Sequence, residues 1–169
     1  EESRIMGVDF EHRWSQTQEG ILAMKQLWTE EESEFHGTFY DFPPVRCFPK
    51  PVQKPHPPLS LGGTASDVLF KRIVTHCDGW ITFQWATPSD VLEGRVMLTR
   101  HAEEAGRDPT SFEITLYGQP GDADLMRRLE DAGADRMLVR MAIDDSAFES
   151  PSTEDSLRRL DYIAEQLLA

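Results

Sequence analysis

Two adjacent glycines, Gly62 and Gly63, follow a short apolar segment and precede Thr64 and Ser66, after which a helical pattern begins. Glycine lets the main chain approach a ligand closely, and the free N–H groups at the start of a helix point towards it. The pattern is therefore typical of a phosphate-binding turn. A tight turn that requires positive φ would place glycines at the same positions, so the motif alone leaves both interpretations open.

Other residues capable of chemistry do not form a recognisable motif. The histidines show no HExxH pattern and share no helical face with carboxylates, so we predict no metal site. Cys47 and Cys77 are far apart and outside any CxxC spacing, which argues against a disulfide framework or a zinc site. There is no Gly-x-Ser-x-Gly elbow, Walker lysine or convincing carboxylate pair, so hydrolase and kinase chemistry is not indicated. We therefore assign no catalytic residue from the sequence.

The charge of the chain limits its partners. Its 169 residues carry a formal net charge of −13, with 39% hydrophobic and 28% charged residues. This composition is that of one globular domain, and the negative charge repels nucleic acid and anionic membrane surfaces. A phosphate-bearing small ligand remains compatible, because main-chain N–H groups act locally. The chain has neither a long apolar stretch nor a signal peptide, so we expect a cytoplasmic protein.

The first third of the chain predicts a helix, an aromatic segment and a proline-rich loop. Apolar spacing predicts a helix over residues 12–28 with a buried stripe that includes Ile21 and Met24. An acidic run at 30–34 is interpreted as a solvated loop, and residues 35–42 as a short hairpin or packed excursion. Residues 43–58 contain seven prolines and are predicted to form an extended segment, here called the strap. A ligand for a proline-recognition domain is the alternative.

The rest of the chain alternates between strand and helix patterns. Strands are predicted at 59–61, 80–83, 112–117 and 136–141, and each is followed by a helical pattern. Thr87 and Thr153 are predicted N-caps, and Gly106 has the position of a left-handed C-terminal cap. Trp80 and Tyr117 are expected in the core. For the last helix, the predicted buried face comprises Leu157, Leu160, Ala164 and Leu167.

Repeated βα units predict an α/β fold with parallel strands and helices outside them. A doubly wound sheet and a barrel are both possible from this pattern. A complete (β/α)₈ TIM barrel needs roughly 250 residues, so we expect residues 1–169 to be a single partial domain. In this interpretation the four βα units, preceded by a helix and the strap, are the C-terminal half of a barrel, and the chain starts inside a longer protein.

Several segments together resemble the luciferase-like monooxygenase family, within it the branch of probable coenzyme F420-dependent oxidoreductases. The segments that carry the resemblance are Gly7-Val8-Asp9-Phe10, Leu27-Trp28-Thr29-Glu30, Phe35-His36-Gly37, the part of the strap from Pro49 to Pro58, Gly62-Gly63, Cys77-Asp78-Gly79-Trp80, Glu104-Ala105-Gly106-Arg107-Asp108-Pro109 and Asp131-Ala132-Gly133-Ala134-Asp135-Arg136. The resemblance covers essentially the whole chain.

The resemblance implies a (β/α)₈ barrel that transfers hydride between a deazaflavin and a small organic substrate. Coenzyme F420 is the implied cofactor and FMN the alternative. Carried over to this chain, Gly62, Gly63 and Thr64 would hold the cofactor phosphate, with Ser66 as a further donor. Where the sugar-phosphate-oxidising branch has small hydroxyl residues and a lysine, this chain has Phe83, Gln84 and Trp85. These residues do not support a sugar-phosphate site; they indicate an apolar or planar substrate wall, and packing at the end of the strand is the alternative.

The alternative function is a non-catalytic half-barrel remnant or scaffold that binds a phosphate-bearing ligand or assembles with a partner half-barrel. Four parallel strands alone leave two open edges. We therefore expect a homo-oligomer or association with the other half of a barrel, and little activity from this segment by itself. Two further residues are weaker ligand candidates: His56 in the strap and Arg140 after the last strand.

Overall fold

The computed structural model describes residues 2–7, 9–82, 86–140 and 152–168. Phe83, Gln84 and Trp85, assigned above to a substrate wall, lie outside these residues, as does Met141 at the predicted end of the fourth strand. The chain divides into two compact units, Glu1–Pro58 and Leu59–Ala169.

The first unit contains two helices and a hairpin. The helices are α1 at Glu2–Ile5 and α2 at Arg13–Thr29, and the strands are β1 at Ser33–His36 and β2 at Asp41–Val45. The two strands pair antiparallel, so the predicted hairpin is confirmed, and it includes part of the acidic run and the first prolines of the strap. On α2, Ile21 is buried as predicted, whereas Met24 is 38% exposed.

Glu19 on α2 holds the turn of this hairpin. Its carboxylate accepts hydrogen bonds from the main-chain N–H groups of Thr38 at 2.7 Å and Tyr40 at 2.9 Å, and also from that of Phe39. Burial raises the pKa of Glu19, but the three N–H donors outweigh it and hold the pKa below its usual value. A side chain at Gly37 would overlap the Glu19 carboxylate, which explains the glycine there.

The strap has no regular secondary structure between β2 and the second unit, as its prolines predict. Lys50 fixes it to the end of α2: its ammonium group donates to the Leu27 carbonyl at 2.7 Å and also to that of Glu30. Carbonyls in the last turn of a helix have no intrahelical donor and carry partial negative charge. The lysine therefore satisfies two of these acceptors and holds the strap in place.

The second unit is an alternating α/β sequence. It runs β3 Ser60–Gly62, α3 Asp67–His76, β4 Gly79–Ile81, α4 Pro88–Glu104, a 3₁₀ turn Pro109–Ser111, β5 Glu113–Gln119, α5 Ala123–Asp131, β6 Arg136–Val139 and α6 Thr153–Leu168. The four strands pair in parallel in the order β3-β4-β5-β6. The predicted parallel α/β fold is therefore confirmed, and neighbours in sequence are neighbours in the sheet. In the part of the chain that the structure describes, no helix is long and apolar enough to cross a membrane.

The predicted helix caps are confirmed with one correction. Thr87 and Asp90 form a reciprocal capping box at the start of α4, and Gly106 after its end has φ +68°. At the start of α6 the cap is Ser152 and not Thr153, because the Ser152 hydroxyl accepts from the Asp155 N–H at 3.1 Å. A serine and a threonine in succession give the same signal in the sequence.

One face of the parallel sheet is covered by helices. Trp80 on β4 is 3% exposed, and its ring meets the ring of Phe70 on α3 edge-on, with centroids 5.2 Å apart. On β5, Ile114 and Leu116 are fully buried. Gly94 on α4 lies against the indole of Trp80, with no room for a side chain. The expectation that Trp80 belongs to the core is confirmed.

The other face of the sheet is partly open. Tyr117 on β5 is 49% exposed and Leu138 on β6 is 43% exposed, so the expectation that Tyr117 is a core residue is wrong. Side chains alternate between the two faces of a strand, and residues 114 and 116 use the positions against the helices. On this open face Arg136 donates to the Glu113 carboxylate at 2.9 Å.

The packing of α6 also differs from the prediction. Leu157 and Leu160 are 56% and 51% exposed, and Ala164 is exposed as well, whereas Ile163 is 8% exposed. A Cβ atom at Gly121 would lie 3.0 Å from Ile163 and 3.5 Å from Val139, which places Ile163 next to Gly121, near the end of β6. The helix has apolar residues on two sides, and the side that carries Ile163 is the buried one.

Two arginines tie the helices to the edge of the sheet where the strands begin. Arg107 donates to the carbonyls of Val74 at 2.9 Å and Cys77 at 2.8 Å, at the end of α3, and its guanidinium lies 4.3 Å from the centre of the Phe112 ring. The last turn of α3 and the start of β5 are thereby joined through one side chain.

Arg95 makes a similar connection from α4. It donates to the carbonyl of Phe112 at 3.0 Å and to that of Gly133, and it forms an ion pair with Asp135. Asp135 also accepts from the Ile114 N–H at 2.7 Å. Residues 104–109 and 131–136, which contribute to the family resemblance, thus lie with these contacts at the amino-terminal edge of the sheet.

Candidate phosphate-binding site

The four predicted site residues lie together in one turn. Gly62 is the last residue of β3, and the chain passes through Gly63, Thr64 and Ser66 before α3 begins at Asp67. Gly62, Thr64 and Ser66 are exposed. The turn lies at the carboxyl-terminal edge of a parallel sheet, where α/β proteins bind their ligands.

The two glycines have different surroundings. Neither has a positive φ, so the alternative of a left-handed turn is not supported. A Cβ atom at Gly63 would lie 3.1 Å from a methyl group of Leu69 on α3, whereas a Cβ atom at Gly62 would have only the Ile81 carbonyl oxygen nearby, at 3.9 Å. Gly63 therefore allows close packing of strand and helix, and Gly62 leaves the outer surface of the turn open.

Residues of β4 fix the main chain of Gly63. Its N–H donates to the Ile81 carbonyl at 3.2 Å, and its own carbonyl accepts from the indole N–H of Trp80 at 2.8 Å. Both main-chain groups of Gly63 thus have partners within the sheet. Donors for a ligand must come from the residues that follow.

The start of α3 offers such donors. The Ser66 side chain caps the helix by accepting from the Leu69 N–H at 3.3 Å, which leaves its own hydroxyl hydrogen available to a ligand. The N–H groups of Asp67 and Val68 have no intrahelical acceptor because they belong to the first turn. Together with the helix dipole, they favour an anion next to the turn.

An acidic residue in this first turn is held away by α4. The Asp67 carboxylate accepts from Nε2 of His101 at 2.8 Å and also pairs with Arg100. The hydrogen bond from His101 and the charge of Arg100 hold the pKa of Asp67 below its usual value. His101 is 3% exposed, so this contact also joins α3 to α4. The negative charge next to the turn is thereby paired.

A buried hydroxyl at the same edge has no partner. Thr82 is 6% exposed, and its Oγ1 makes no hydrogen bond. Its N–H donates to the Thr115 carbonyl at 3.0 Å, which continues the ladder between β4 and β5 one residue beyond β4. Thr82 is not among the site residues predicted from the sequence, although a hydroxyl at the end of a strand is a recognisable signal.

The end of β5 contains a bulge that the sequence analysis also missed. The register with β6 shifts between Leu116 and Gln119, and Gly118 within the shift has φ +70°. Bulges of this kind are frequent at barrel rims and next to active sites, where they redirect a side chain. The signal in the sequence is a glycine inside a strand pattern. Tyr117 lies next to this bulge.

The two weaker ligand candidates lie at different places. The Arg140 N–H donates to the Gln119 carbonyl at 2.8 Å, so Arg140 follows β6 at the carboxyl-terminal edge of the sheet. His56 belongs to the first unit, where its Nδ1 is 2.9 Å from the Pro57 carbonyl oxygen and its ring is 6.3 Å from that of Trp28. These contacts give His56 a packing role.

Two surface depressions are lined by residues that do not belong to the glycine turn. One, of about 520 Å³, is in the first unit between α2 and β1. The other, of about 700 Å³, is in the second unit beside Arg95, Pro109 and Gly133, at the amino-terminal edge. Both are wide open, and neither is lined by Gly62, Gly63, Thr64 or Ser66.

The chain matches a known family model over most of its length. Residues 1–132 match the model described as luciferase-like monooxygenase. An uncharacterised protein of Mycobacterium tuberculosis is 32% identical over 173 residues, covering 100% of this chain and 57% of the relative. The chain thus spans little more than half the length of that relative. The FMNH₂-dependent dimethylsulfone monooxygenase of Pseudomonas putida is 38% identical over 58 residues, which is 34% of this chain and 16% of that protein.

Solved structures have the same fold. The monooxygenase RslO1 from Streptomyces bottropensis is similar with a TM-score of 0.73 at 18% identity, covering 99% of this chain and 64% of that one. The coenzyme F420-dependent tetrahydromethanopterin reductase from Methanopyrus kandleri gives a TM-score of 0.62 at 10% identity, covering 86% and 60% of the two chains. At these identities the likeness concerns the fold.

Proposed function

Since this chain belongs to the luciferase-like monooxygenase family, we propose that it is part of an oxidoreductase that uses coenzyme F420, with FMN as the alternative. The observation that carries the proposal is the exposed turn of Gly62 to Ser66, which lies at the carboxyl-terminal edge of a parallel sheet and leads into a capped helix. The substrate is a small organic molecule, and none of the described residues is assigned a catalytic role.

The uncovered face of the sheet supports a barrel. Parallel sheets are normally covered on both faces, yet Tyr117 and Leu138 are about half exposed on the face opposite the helices. The strand order follows the sequence without reversal, which is the order in a barrel and not in a doubly wound sheet. Residues 1–169 would then be one partial domain, the C-terminal half of a (β/α)₈ barrel, with the open face in the barrel interior.

The turn would hold the cofactor through its phosphate. Gly62 leaves room for the ligand, Thr64 and Ser66 present hydroxyl groups, and the first N–H groups of α3 supply main-chain donors. Gly63 contributes by letting strand and helix pack closely, since its own N–H is paired with Ile81. Pairing of Asp67 with α4 keeps a carboxylate from opposing the phosphate.

The cofactor and the protein would have different roles in the reaction. A bound deazaflavin or flavin supplies the hydride transfer, and the protein supplies binding, orientation and exclusion of water. Relatives are consistent with both cofactors: the tetrahydromethanopterin reductase uses F420 and the dimethylsulfone monooxygenase uses FMNH₂. The phosphate of either can occupy the turn, because the proposed contacts do not involve the ring. The half-barrel would have two open strand edges, and these would pair either with the other half of the barrel or with a second copy of the chain.

The test combines the mass of the intact protein with titration of F420 and of FMN, each followed by fluorescence. Gly62→Ala and Gly63→Ala form a matched pair. Alanine at position 62 meets nothing closer than 3.9 Å, so we expect unchanged thermal stability and loss of cofactor affinity by about tenfold or more. Alanine at position 63 crowds Leu69, so for Gly63→Ala we expect a lower melting temperature in addition to a loss of cofactor affinity.

Two results would contradict the proposal. If the intact protein binds neither cofactor, the non-catalytic scaffold becomes the better interpretation. If Gly62→Ala binds as tightly as the wild type, the phosphate does not lie on the turn, even if a cofactor binds elsewhere.

A further inference from the structure

The Thr82 hydroxyl is buried and has no hydrogen-bond partner. Among the described residues, buried side-chain atoms without a hydrogen bond are also found at Gln26 and Arg159, which lie on α2 and α6. Thr82 differs from these because it follows β4 directly at the edge that carries the glycine turn. A buried hydroxyl without a partner is costly, so native proteins usually satisfy it with protein, water or ligand.

The geometry of β4 places the Thr82 side chain on the same side of the sheet as the turn. The indole of Trp80 reaches the Gly63 carbonyl, so the turn lies on the side of the sheet to which Trp80 projects. Thr82 continues the same ladder two residues later, and side chains two residues apart on a strand share a face. The Thr82 side chain therefore lies on the same side of the sheet as the turn, and Thr82 is nearer than Trp80 to the carboxyl-terminal edge.

We propose that the Thr82 hydroxyl donates a hydrogen bond to a phosphate oxygen of the bound cofactor. This inference rests on the proposed function, and it adds a donor from β4 to those of the turn and of α3. A phosphate oxygen matches the free group, because a hydroxyl donates one hydrogen and an ionised phosphate only accepts. The Thr82 hydroxyl makes no hydrogen bond within the protein, so its hydrogen is available to such an oxygen.

The inference makes a prediction with opposite signs for stability and binding. Thr82→Val keeps the shape of the side chain and removes the hydroxyl. Without ligand we expect its melting temperature to equal or exceed that of the wild type by a few degrees, since an unsatisfied buried group is removed. With F420 or FMN we expect its dissociation constant to rise by about tenfold or more, because hydrogen bonds to charged groups are strong.

Two control variants separate this role from a structural one. Thr82→Ser keeps the hydroxyl and should keep most of the affinity. Thr115→Val removes a buried hydroxyl that does have a partner, the Glu113 carboxylate at 2.7 Å, so its melting temperature should fall while its cofactor affinity stays the same. If Thr82→Val does not fold, Thr82→Ala compared with Thr82→Ser gives the same contrast.

The measurement is thermal unfolding of the intact protein with and without cofactor, together with fluorescence titration of F420 and FMN. Equal affinity of the wild type and Thr82→Val overturns the role of Thr82 and leaves the glycine turn untouched. A melting temperature of unliganded Thr82→Val that falls as far as that of Thr115→Val also overturns it, since the hydroxyl then has an internal partner. Failure of the wild type to bind either cofactor removes both proposals.

Discussion

The contact between Gly94 and Trp80 gives a prediction whose size follows from the structure. Gly94 lies within α4, and a Cβ atom there would be 2.8 Å from Cη2 of the Trp80 ring and closer still to Cζ3. Trp80 is packed between α3 and α4 and donates to the Gly63 carbonyl. Gly94→Ala therefore forces the indole to move in a part of the core that is fully buried.

The expected change in stability is a balance of three effects. Alanine is favoured over glycine in a helix by about 1 kcal/mol. Overpacking of a core costs about 1–3 kcal/mol, and displacement of the indole weakens a hydrogen bond worth about 1 kcal/mol. We expect Gly94→Ala to lower the free energy of unfolding by about 1–3 kcal/mol, with a fall in melting temperature of about 2–4 °C for each kcal/mol in a protein of this size.

The assay is thermal unfolding of the intact protein followed by near-UV circular dichroism. Glu93→Ala, at an exposed neighbouring position on the same helix, is the control and should change the melting temperature little. Trp80→Leu removes the ring atoms that collide, so Gly94→Ala should cost less in that background than in the wild type. A Gly94→Ala protein that melts at or above the wild-type temperature would refute the packing described here, and so would strictly additive effects in the double variant.

Three further predictions follow from side chains with defined partners. Glu19→Gln should lower the melting temperature at neutral pH, because the carboxylate accepts three main-chain hydrogen bonds. Folding lowers the pKa of Glu19, so the difference in melting temperature between the wild type and the variant should shrink as pH falls below about 4.3. Melting temperatures measured over a series of pH values test this. The hydrogen bond with Asp41 raises the pKa of His36, so this contact stabilises the fold below about pH 6.5 and the stabilisation is lost at higher pH. Asp41→Asn should lower the pKa of His36, as measured by NMR titration. Gly118→Ala places a side chain at φ +70° and should cost about 1–2 kcal/mol in chemical denaturation, whereas Gly118→Asn should cost less.

Much of the second unit is predictable because its signals are local. The order of strands and helices follows from apolar patterns and from glycines at helix ends, and the capping box of Thr87 and Asp90 lies within four residues of sequence. The turn of Gly62 to Ser66 is likewise a continuous segment, so its four residues can be grouped without knowing the fold.

What the sequence does not reveal depends on contacts between distant segments. Gly62 and Gly63 are alike in sequence, and only the position of Leu69 on α3 separates their roles. The buried side of α6 carries Ile163, which lies next to Gly121 in a loop about forty residues earlier, and Tyr117 is half exposed because it lies on the face opposite to Ile114 and Leu116. Thr82 becomes a candidate ligand residue only because it lies at the same edge of the sheet as the glycine turn, which is almost twenty residues earlier in the sequence.

The arginine contacts at the amino-terminal edge have a consequence for how such proteins diverge. Arg107 and Arg95 bind main-chain carbonyls of Val74, Cys77, Phe112 and Gly133, and every amino acid supplies a carbonyl. Substitution at Val74, Cys77 or Phe112 leaves the acceptor carbonyl in place, whereas a Cβ atom at Gly133, where φ is +107°, would lie 3.2 Å from Nε of Arg95. The hydrogen bonds at this edge therefore depend on the two arginines and on Gly133, and not on which side chains stand at the other three acceptor positions.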